Sequence, residues 1–168
     1  MTGNNPTDRS KLGQAKRHIL TDKQGIPLSA VISSASTHDI KAVTDVIDNT
    51  VIKRKPSSYF TKKKRTNHHH HLCLDRAYNS KRIEKEIIKR GYIPHIPYKR
   101  KRGQKKNENS NQKKYSSAKN KRWVVERTNS WHNRFRKLFI RYERKMKNYL
   151  SLVQLSSSII IYRKIILG

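Results

Sequence analysis

The stretch Leu72-Cys73-Leu74-Asp75-Arg76-Ala77-Tyr78 decides the fold, because a short apolar run stops abruptly at an acid. Apolar residues in unbroken succession are typical of a strand buried on both faces, and Cys73 is expected to be a small buried side chain within it. Asp75 would then stand at the carboxyl end of a buried strand, where open α/β sheets place ligand and metal contacts. The alternative is that Asp75 only begins the turn that follows.

A helix and a second strand are predicted directly after this stretch. Asn79 or Ser80 can cap the helix, and Gly91 stops it. Residues 92–97 return as a short strand whose prolines favour the edge of a sheet. Strand, helix and strand within about thirty residues predict a βαβ unit with parallel pairing. The apolar positions of its helix are Ile83, Ile87 and Ile88.

Two further elements are predicted upstream. Residues 17–20 and 28–32 are β-like runs joined by the turn-forming residues 22–27, which is a hairpin signal. A helix then begins with Thr37 as its N-cap. Residues 53–71 are basic, end in four consecutive histidines and are predicted to be a loop. The apolar positions of the helix are Ile40, Val43, Val46, Ile47 and Val51.

Downstream, residues 98–120 are a Lys/Arg/Asn/Ser tract with almost no apolar residue, and we predict a flexible basic linker. A helix with one buried face follows, and residues 149–167 predict a packed terminal helix. The terminal stretch is interrupted by Gln154, four serines and two cations, which argues against a membrane span. The buried face of the first helix is predicted to comprise Val124, Thr128, Trp131, Phe135 and Leu138.

The chain has 40 Lys and Arg against 11 Asp and Glu among 168 residues, a net charge of +29. This imbalance predicts a polyanionic partner, and nucleic acid fits better than a membrane surface because the cations are spread along the chain. A single domain of ordinary size is expected. One cysteine permits no internal disulfide, and no signal peptide is recognisable, so we expect a reducing compartment.

Glu126 is the only acid between Glu108 and Glu143. A lone acid on a basic helix is ordinarily a surface ion-pair partner, but a carboxylate that binds a cation beside DNA phosphates has the same pattern. Arg122, one helical turn earlier, could orient this carboxylate or bind a phosphate. The histidines 68–71 lack the spacing of a closed zinc site, so they are interpreted as part of a loop.

A set of motifs, in one order along the chain, carries a resemblance: Thr2-Gly3-Asn4-Asn5-Pro6-Thr7-Asp8-Arg9-Ser10-Lys11-Leu12-Gly13, Gly25-Ile26-Pro27-Leu28, His38-Asp39, Leu74-Asp75-Arg76-Ala77-Tyr78, Arg122-Trp123-Val124-Val125-Glu126-Arg127-Thr128 with Trp131, Phe135-Arg136-Lys137-Leu138, and Arg141-Tyr142-Glu143. Together they resemble bacterial insertion-sequence transposases of the DDE type, which have an RNase H-like catalytic core. The match runs from the first residues almost to the last, at similar separations.

The resemblance implies that Asp75 is the second catalytic aspartate and Glu126 the catalytic glutamate. Both would bind divalent metal, Mg²⁺ or Mn²⁺, in a two-metal site. Arg122 and Tyr78 would support these carboxylates. Three carboxylates are needed because two divalent cations must be coordinated beside the phosphates of DNA.

The resemblance also implies a DNA-contacting set around the two carboxylates. Two of its positions depart from the family pattern, since Lys119 stands where relatives carry tyrosine and Asn133 where many carry lysine. The supporting roles of these two positions are therefore left open. The residues expected to contact DNA are Arg76, Lys119, Arg127, Asn133, Arg134 and Lys137.

In the family, the first aspartate lies on a central strand upstream of the Gly3-to-Arg9 stretch. We therefore expect residues 1–168 to be a partial DDE catalytic domain: an α/β fold with an RNase H-like mixed sheet that lacks its first strand, followed by a C-terminal helical pair. The other candidates for a third ligand are Asp8, Asp22 and Asp39, which are better explained as a loop residue, a turn former and a first-turn acid.

The expected function is that of a transposase, which cleaves and transfers DNA strands with divalent metal, and the chain alone is expected to be inactive. A non-enzymatic basic nucleic-acid-binding protein would have the same composition, but it would need neither Asp75 at a strand end nor the lone Glu126. A decayed fragment and the downstream frame of a frameshifted transposase are both open. The expected partners are DNA and either the upstream frame's product or a second copy of the chain. The resemblance also implies a bacterial cytoplasmic location, at the nucleoid.

Overall fold

The computed structural model describes residues 15–51, 70–97 and 122–167. These residues divide between two compact units. The hairpin–helix unit combines residues 15–51 with residues 124–167. The βαβ unit contains residues 70–97. The predicted linker at 98–120 lies outside the described residues.

The hairpin–helix unit begins with two antiparallel strands, β1 (Ala15–Thr21) and β2 (Pro27–Ser34). The turn between them is held by Asp22, whose Oδ1 accepts hydrogen bonds from the backbone N–H groups of residues 24 and 26 at 2.9 and 2.8 Å. Gly25 has a φ of +84°, a left-handed conformation that side chains disfavour. The predicted hairpin, with Asp22 as its turn former, is confirmed.

A 3-10 turn (Asp39–Ala42) and helix α1 (Val43–Asp48) follow the hairpin. Thr37 was predicted as the N-cap, but this is wrong: His38 is the N-cap residue, and its Nδ1 accepts a hydrogen bond from the Ile40 N–H at 3.3 Å. Val51 lies beyond the helix and is 86% exposed, so its assignment to the buried face is also wrong. The buried residues of this segment are Ala42, Val43, Val46 and Ile47.

Three helices complete the hairpin–helix unit: α3 (Arg122–Asn133), α4 (Arg136–Phe139) and α5 (Met146–Ile165). A single helix carrying residues 124–138 on one face was predicted, and this is wrong because the chain breaks at Phe135, which has an extended backbone. The break arises from tertiary packing, since Phe135 packs against a core of Leu138, Tyr149 and Val153. The predicted terminal helix is confirmed as α5.

The βαβ unit consists of β3 (His70–Cys73), a 3-10 turn (Arg76–Tyr78), α2 (Lys81–Lys89) and β4 (Tyr92–His95). Strands β3 and β4 are parallel, as predicted, with His70 opposite Tyr92. Gly91 ends α2 with a φ of +80°. The core of the unit contains Leu72, Ile83, Ile87, Tyr92 and Ile96.

Three predictions for the βαβ unit are wrong. Cys73 is exposed, because β3 buries only Leu72 and alternate strand residues face opposite sides. Ile88 is 50% exposed, since it lies off the face that buries Ile83 and Ile87. His70 and His71 belong to β3 and not to the predicted loop.

The chain is a mixed α/β protein, as expected. Within the described ranges, the strands form two separate two-stranded sheets, β1 with β2 and β3 with β4. The RNase H-like arrangement of these strands stays a prediction. Among the helices described, none is long and apolar enough to cross a membrane.

Candidate active site

Asp75 lies two residues beyond the carboxyl end of β3, with an exposed side chain. The strand ladder continues up to its neighbour, since the Leu74 N–H donates to the His95 carbonyl oxygen at 3.0 Å. Asp75 is also the N-cap of the next 3-10 turn, because its Oδ1 accepts a hydrogen bond from the Arg76 N–H at 2.6 Å. The acid therefore begins a turn and stands at a strand end, so the two interpretations are compatible.

Glu126 lies in the second turn of α3, with an exposed side chain. The residues that follow it anchor the helix to the hairpin turn. The Thr128 hydroxyl, which is buried, donates to the Gly25 carbonyl oxygen at 2.5 Å. The Arg127 guanidinium donates to the Gln24 carbonyl oxygen. The turn thus fixes α3 directly beside Glu126.

Two properties favour glycine at position 25: its left-handed backbone and the close approach of α3. A Cβ atom at this position would lie 3.0 Å from the Thr128 hydroxyl oxygen and 3.1 Å from an Arg127 nitrogen. Both distances are shorter than ordinary Cβ contacts, so a side chain at this position would require Thr128 or Arg127 to shift by a few tenths of an ångström.

Arg127 and Trp131 form a stack on α3. The Arg127 guanidinium carbon lies 5.1 Å from the centre of the Trp131 ring, and the Lys164 ammonium lies 5.2 Å from it. Such distances are within the range of cation–π attraction. In the structure, the Arg127 guanidinium contacts Gln24 and Trp131 of the protein itself. The predicted contact of Arg127 with DNA stays a prediction.

The remaining predicted site residues divide between the two units. Arg76 is exposed and Tyr78 is half-buried, both in the 3-10 turn that follows Asp75. On the hairpin–helix unit, Arg134 and Lys137 are exposed. The Asn133 Oδ1 accepts a hydrogen bond from the Arg17 guanidinium at 2.6 Å. Arg122 is the first residue of α3, and Lys119 lies outside the described residues.

The described parts of the chain contain no group of three or more His, Cys, Asp or Glu side chains arranged to hold a metal ion. Of the substitute third ligands, Asp22 is occupied by its turn and Asp39 pairs with the Lys16 ammonium at 2.9 Å. Asp8 lies outside the described residues. Asp75 and Glu126 are on separate units, so their roles as metal ligands stay a prediction.

One buried titratable residue was missed by the sequence analysis. His132 is fully buried in α3, with its Nε2 3.3 Å from the Ser157 hydroxyl. The pKa of His132 is lowered to about 4, mainly by burial of the ring and secondly by the positive charge of Arg17. The signal was available, because His132 follows the buried Thr128 by one helical turn.

Residues 2–160 match the family described as "Transposase DDE domain", and the chain therefore belongs to this family. It is 32% identical over 161 residues to the protein named "Putative transposase for insertion sequence element IS402" of Burkholderia cepacia. That alignment covers 96% of this chain and 68% of the relative. No solved structure matches the chain.

Proposed function

We propose that this chain takes part in DNA transposition by cleaving and transferring DNA strands with divalent metal bound to Asp75 and Glu126. The proposal rests on the match of residues 2–160 to the transposase family, a span that includes both carboxylates. A non-enzymatic DNA-binding protein is not favoured, because that family match accounts for the acids as well as for the charge.

The donor chemistry fits Mg²⁺ or Mn²⁺. Both ligands are carboxylates, which hard divalent cations prefer, and both side chains are exposed. When bound, such ions activate an attacking oxygen and stabilise a leaving oxygen at a phosphodiester. The hydrogen bond from the Arg76 N–H orients the carboxyl group of Asp75 before metal arrives. The hydrogen bonds of α3 to the hairpin turn fix the position of the helix that carries Glu126.

Binding to DNA is assigned to the basic residues and not to the carboxylates. Arg76, Arg134 and Lys137 are exposed, and the net charge is +29. Each phosphate that a cation neutralises releases roughly 0.9 counterion, so affinity should fall steeply with added salt. Strand cleavage and DNA binding should therefore be separable by substitution.

The test is metal-dependent cleavage of an end-labelled duplex that carries the terminal repeat of the element. Asp75→Asn and Glu126→Gln should each abolish cleavage in Mg²⁺ or Mn²⁺, since both remove a charged ligand at nearly constant shape. DNA affinity, measured by fluorescence anisotropy, should change less than about twofold, because the cations are untouched. Asp45→Asn and Glu84→Gln are matched controls on other elements of the two units.

In the family that the chain resembles, the first catalytic aspartate lies upstream of the Gly3-to-Arg9 stretch. The assay is therefore run on this chain and on the chain joined to the sequence encoded directly upstream. Cleavage is expected in the joined protein. Cleavage that persists in Asp75→Asn or Glu126→Gln would refute the assignment of the two ligands. A flat response of DNA affinity to potassium chloride would refute the assignment of the cations.

A further inference from the structure

The connection between α4 and α5 carries three exposed large apolar side chains. Phe139 ends α4 and is 67% exposed, Ile140 is 48% exposed, and Tyr142 is 62% exposed. We name residues 139–145 the α4–α5 corner. Three exposed apolar side chains within four residues make this segment a candidate for a partner's binding surface.

The α4–α5 corner is tied to the core by Arg141, which points inward. Its Nε donates to the Glu143 carbonyl oxygen at 2.9 Å, and its NH2 group donates to the Arg144 carbonyl oxygen at 3.2 Å. Its guanidinium also lies 5.2 Å from the centre of the Tyr149 ring, which is buried. The exposed rings are thus presented by a backbone that is already ordered.

The charge around the corner points to the chemistry of the partner. Five exposed cations lie within the corner or within three residues of it in the sequence, and the one acid of the corner, Glu143, accepts a 3.5 Å hydrogen bond from Asn148. Cations alone would bind any polyanion, but aromatic faces beside cations match nucleic acid in particular, because bases stack on rings while phosphates bind cations. The bordering cations are Arg136, Lys137, Arg144, Lys145 and Lys147.

A second copy of this chain is a poorer occupant. Symmetric self-association would bring one basic corner against another, since a two-fold interface repeats the same surface on both partners. The like charges would repel. An intact duplex is also a poorer occupant for the rings, because its base faces are covered by stacking.

We propose that the α4–α5 corner binds DNA in which at least one base is unstacked, with Tyr142 and Phe139 stacking on that base. This proposal rests on the proposed function for its partner, DNA, and adds the class of DNA that the surface prefers. Phosphates on either side of the open base bind the bordering cations. The corner therefore recognises a local opening of the duplex and not a base sequence.

The test compares two DNA probes by fluorescence anisotropy in EDTA: an intact duplex, and the same duplex with a short single-stranded gap that contains 2-aminopurine. The wild-type chain should bind the gapped probe about tenfold more tightly and quench its fluorescence. Tyr142→Ala should remove most of this preference while duplex affinity stays within about twofold. Tyr142→Phe should keep the preference, because the ring is retained.

Tyr162→Ala is the matched control, since Tyr162 is similarly exposed, at 54%, but lies on α5 away from the corner. It should leave both affinities unchanged. Phe139→Ala provides a second, independent test of the corner. Circular dichroism confirms that the variants are folded, as expected for exposed positions.

Three results would overturn the proposal: equal wild-type affinity for the two probes, equal effects of Tyr142→Ala and Tyr162→Ala, or a change in oligomeric state in Tyr142→Ala by sedimentation. The EDTA assay involves no metal chemistry, so Asp75→Asn and Glu126→Gln should retain the preference. A joined protein that binds DNA but does not cleave it would therefore count against the metal ligands alone. A joined protein that cleaves DNA without the preference would count against the corner alone.

Discussion

The two units hold their carboxylates by different kinds of contact. In the βαβ unit, Asp75 follows a strand whose partner is only 22 residues further along, since His71 lies opposite Ile93. In the hairpin–helix unit, the Thr128 hydroxyl reaches the Gly25 carbonyl across 103 residues. Local contacts position the aspartate, whereas the helix of the glutamate depends on a remote turn.

This difference explains which features are visible in the sequence. A strand, a helix and a second strand in succession leave a local pattern of apolar spacing and turn residues. The contact of a turn with a helix from a distant part of the chain leaves no such pattern, because neither the turn nor the helix carries a sequence signal for the other. The difference also predicts how each unit responds to substitution.

The largest effect is expected in the βαβ unit, from Ile87→Ala. Ile87 is fully buried, so its truncation should lower the free energy of unfolding of this unit by about 2–5 kcal/mol. Amide hydrogen exchange across residues 70–97 measures the loss. Ile88→Ala is the matched control, and it should cost less than about 1 kcal/mol because Ile88 is 50% exposed. Equal costs would show that the core of this unit is misassigned.

A smaller, pH-dependent effect is expected in the hairpin–helix unit, from His132. Its pKa is about 4 in the folded chain, below the unfolded value of 6.5, so the folded state favours the neutral ring. The stabilisation is complete above pH 6.5 and is lost as the pH falls towards 4, by up to about 3 kcal/mol in total. Urea unfolding between pH 7 and 5 measures the slope before carboxylates titrate.

His132→Gln is the comparison variant for this prediction. It should be less stable than wild type at pH 7 and show a flatter pH dependence, since the titrating ring is gone. His18 contributes a slope of the same sign in both proteins, because burial lowers its pKa as well. Identical slopes for wild type and His132→Gln would contradict the assignment.

Much of the fold was predictable where the pattern was local. The hairpin, the parallel βαβ pairing, the helix stop at Gly91 and the terminal helix all follow from spacing and turn residues. The errors about burial share one cause, which is that burial depends on what packs from elsewhere. Cys73 was expected inside because its neighbours are apolar, but only one face of β3 is covered. The break at Phe135 likewise serves packing against α5.

The candidate site was predictable to a different degree in each unit. Asp75 was found from its position after an apolar run, and its capping of the next turn was one of the two interpretations considered. The contact of Arg127 with Gln24 could not be predicted, because no pattern near Arg127 refers to a turn so far away. The contact of Arg127 with Trp131, four residues later on the same helix, follows from helical spacing and was missed. The inward orientation of Arg141 was missed for a different reason: its acceptors are the backbone carbonyls of residues 143 and 144, which no side-chain pattern marks.

The most direct test of the account locates the metal. Ferrous iron bound by carboxylates cuts the nearby backbone when ascorbate and peroxide are added, so it can replace Mg²⁺ as a probe on the DNA-bound chain. We predict cuts close to residues 75 and 126, and their loss at both places in Asp75→Asn and in Glu126→Gln. Cuts confined to His71 and His95, whose ring nitrogens lie 2.6 Å apart, or cuts unchanged in both variants, would contradict the assignment of Asp75 and Glu126 as metal ligands.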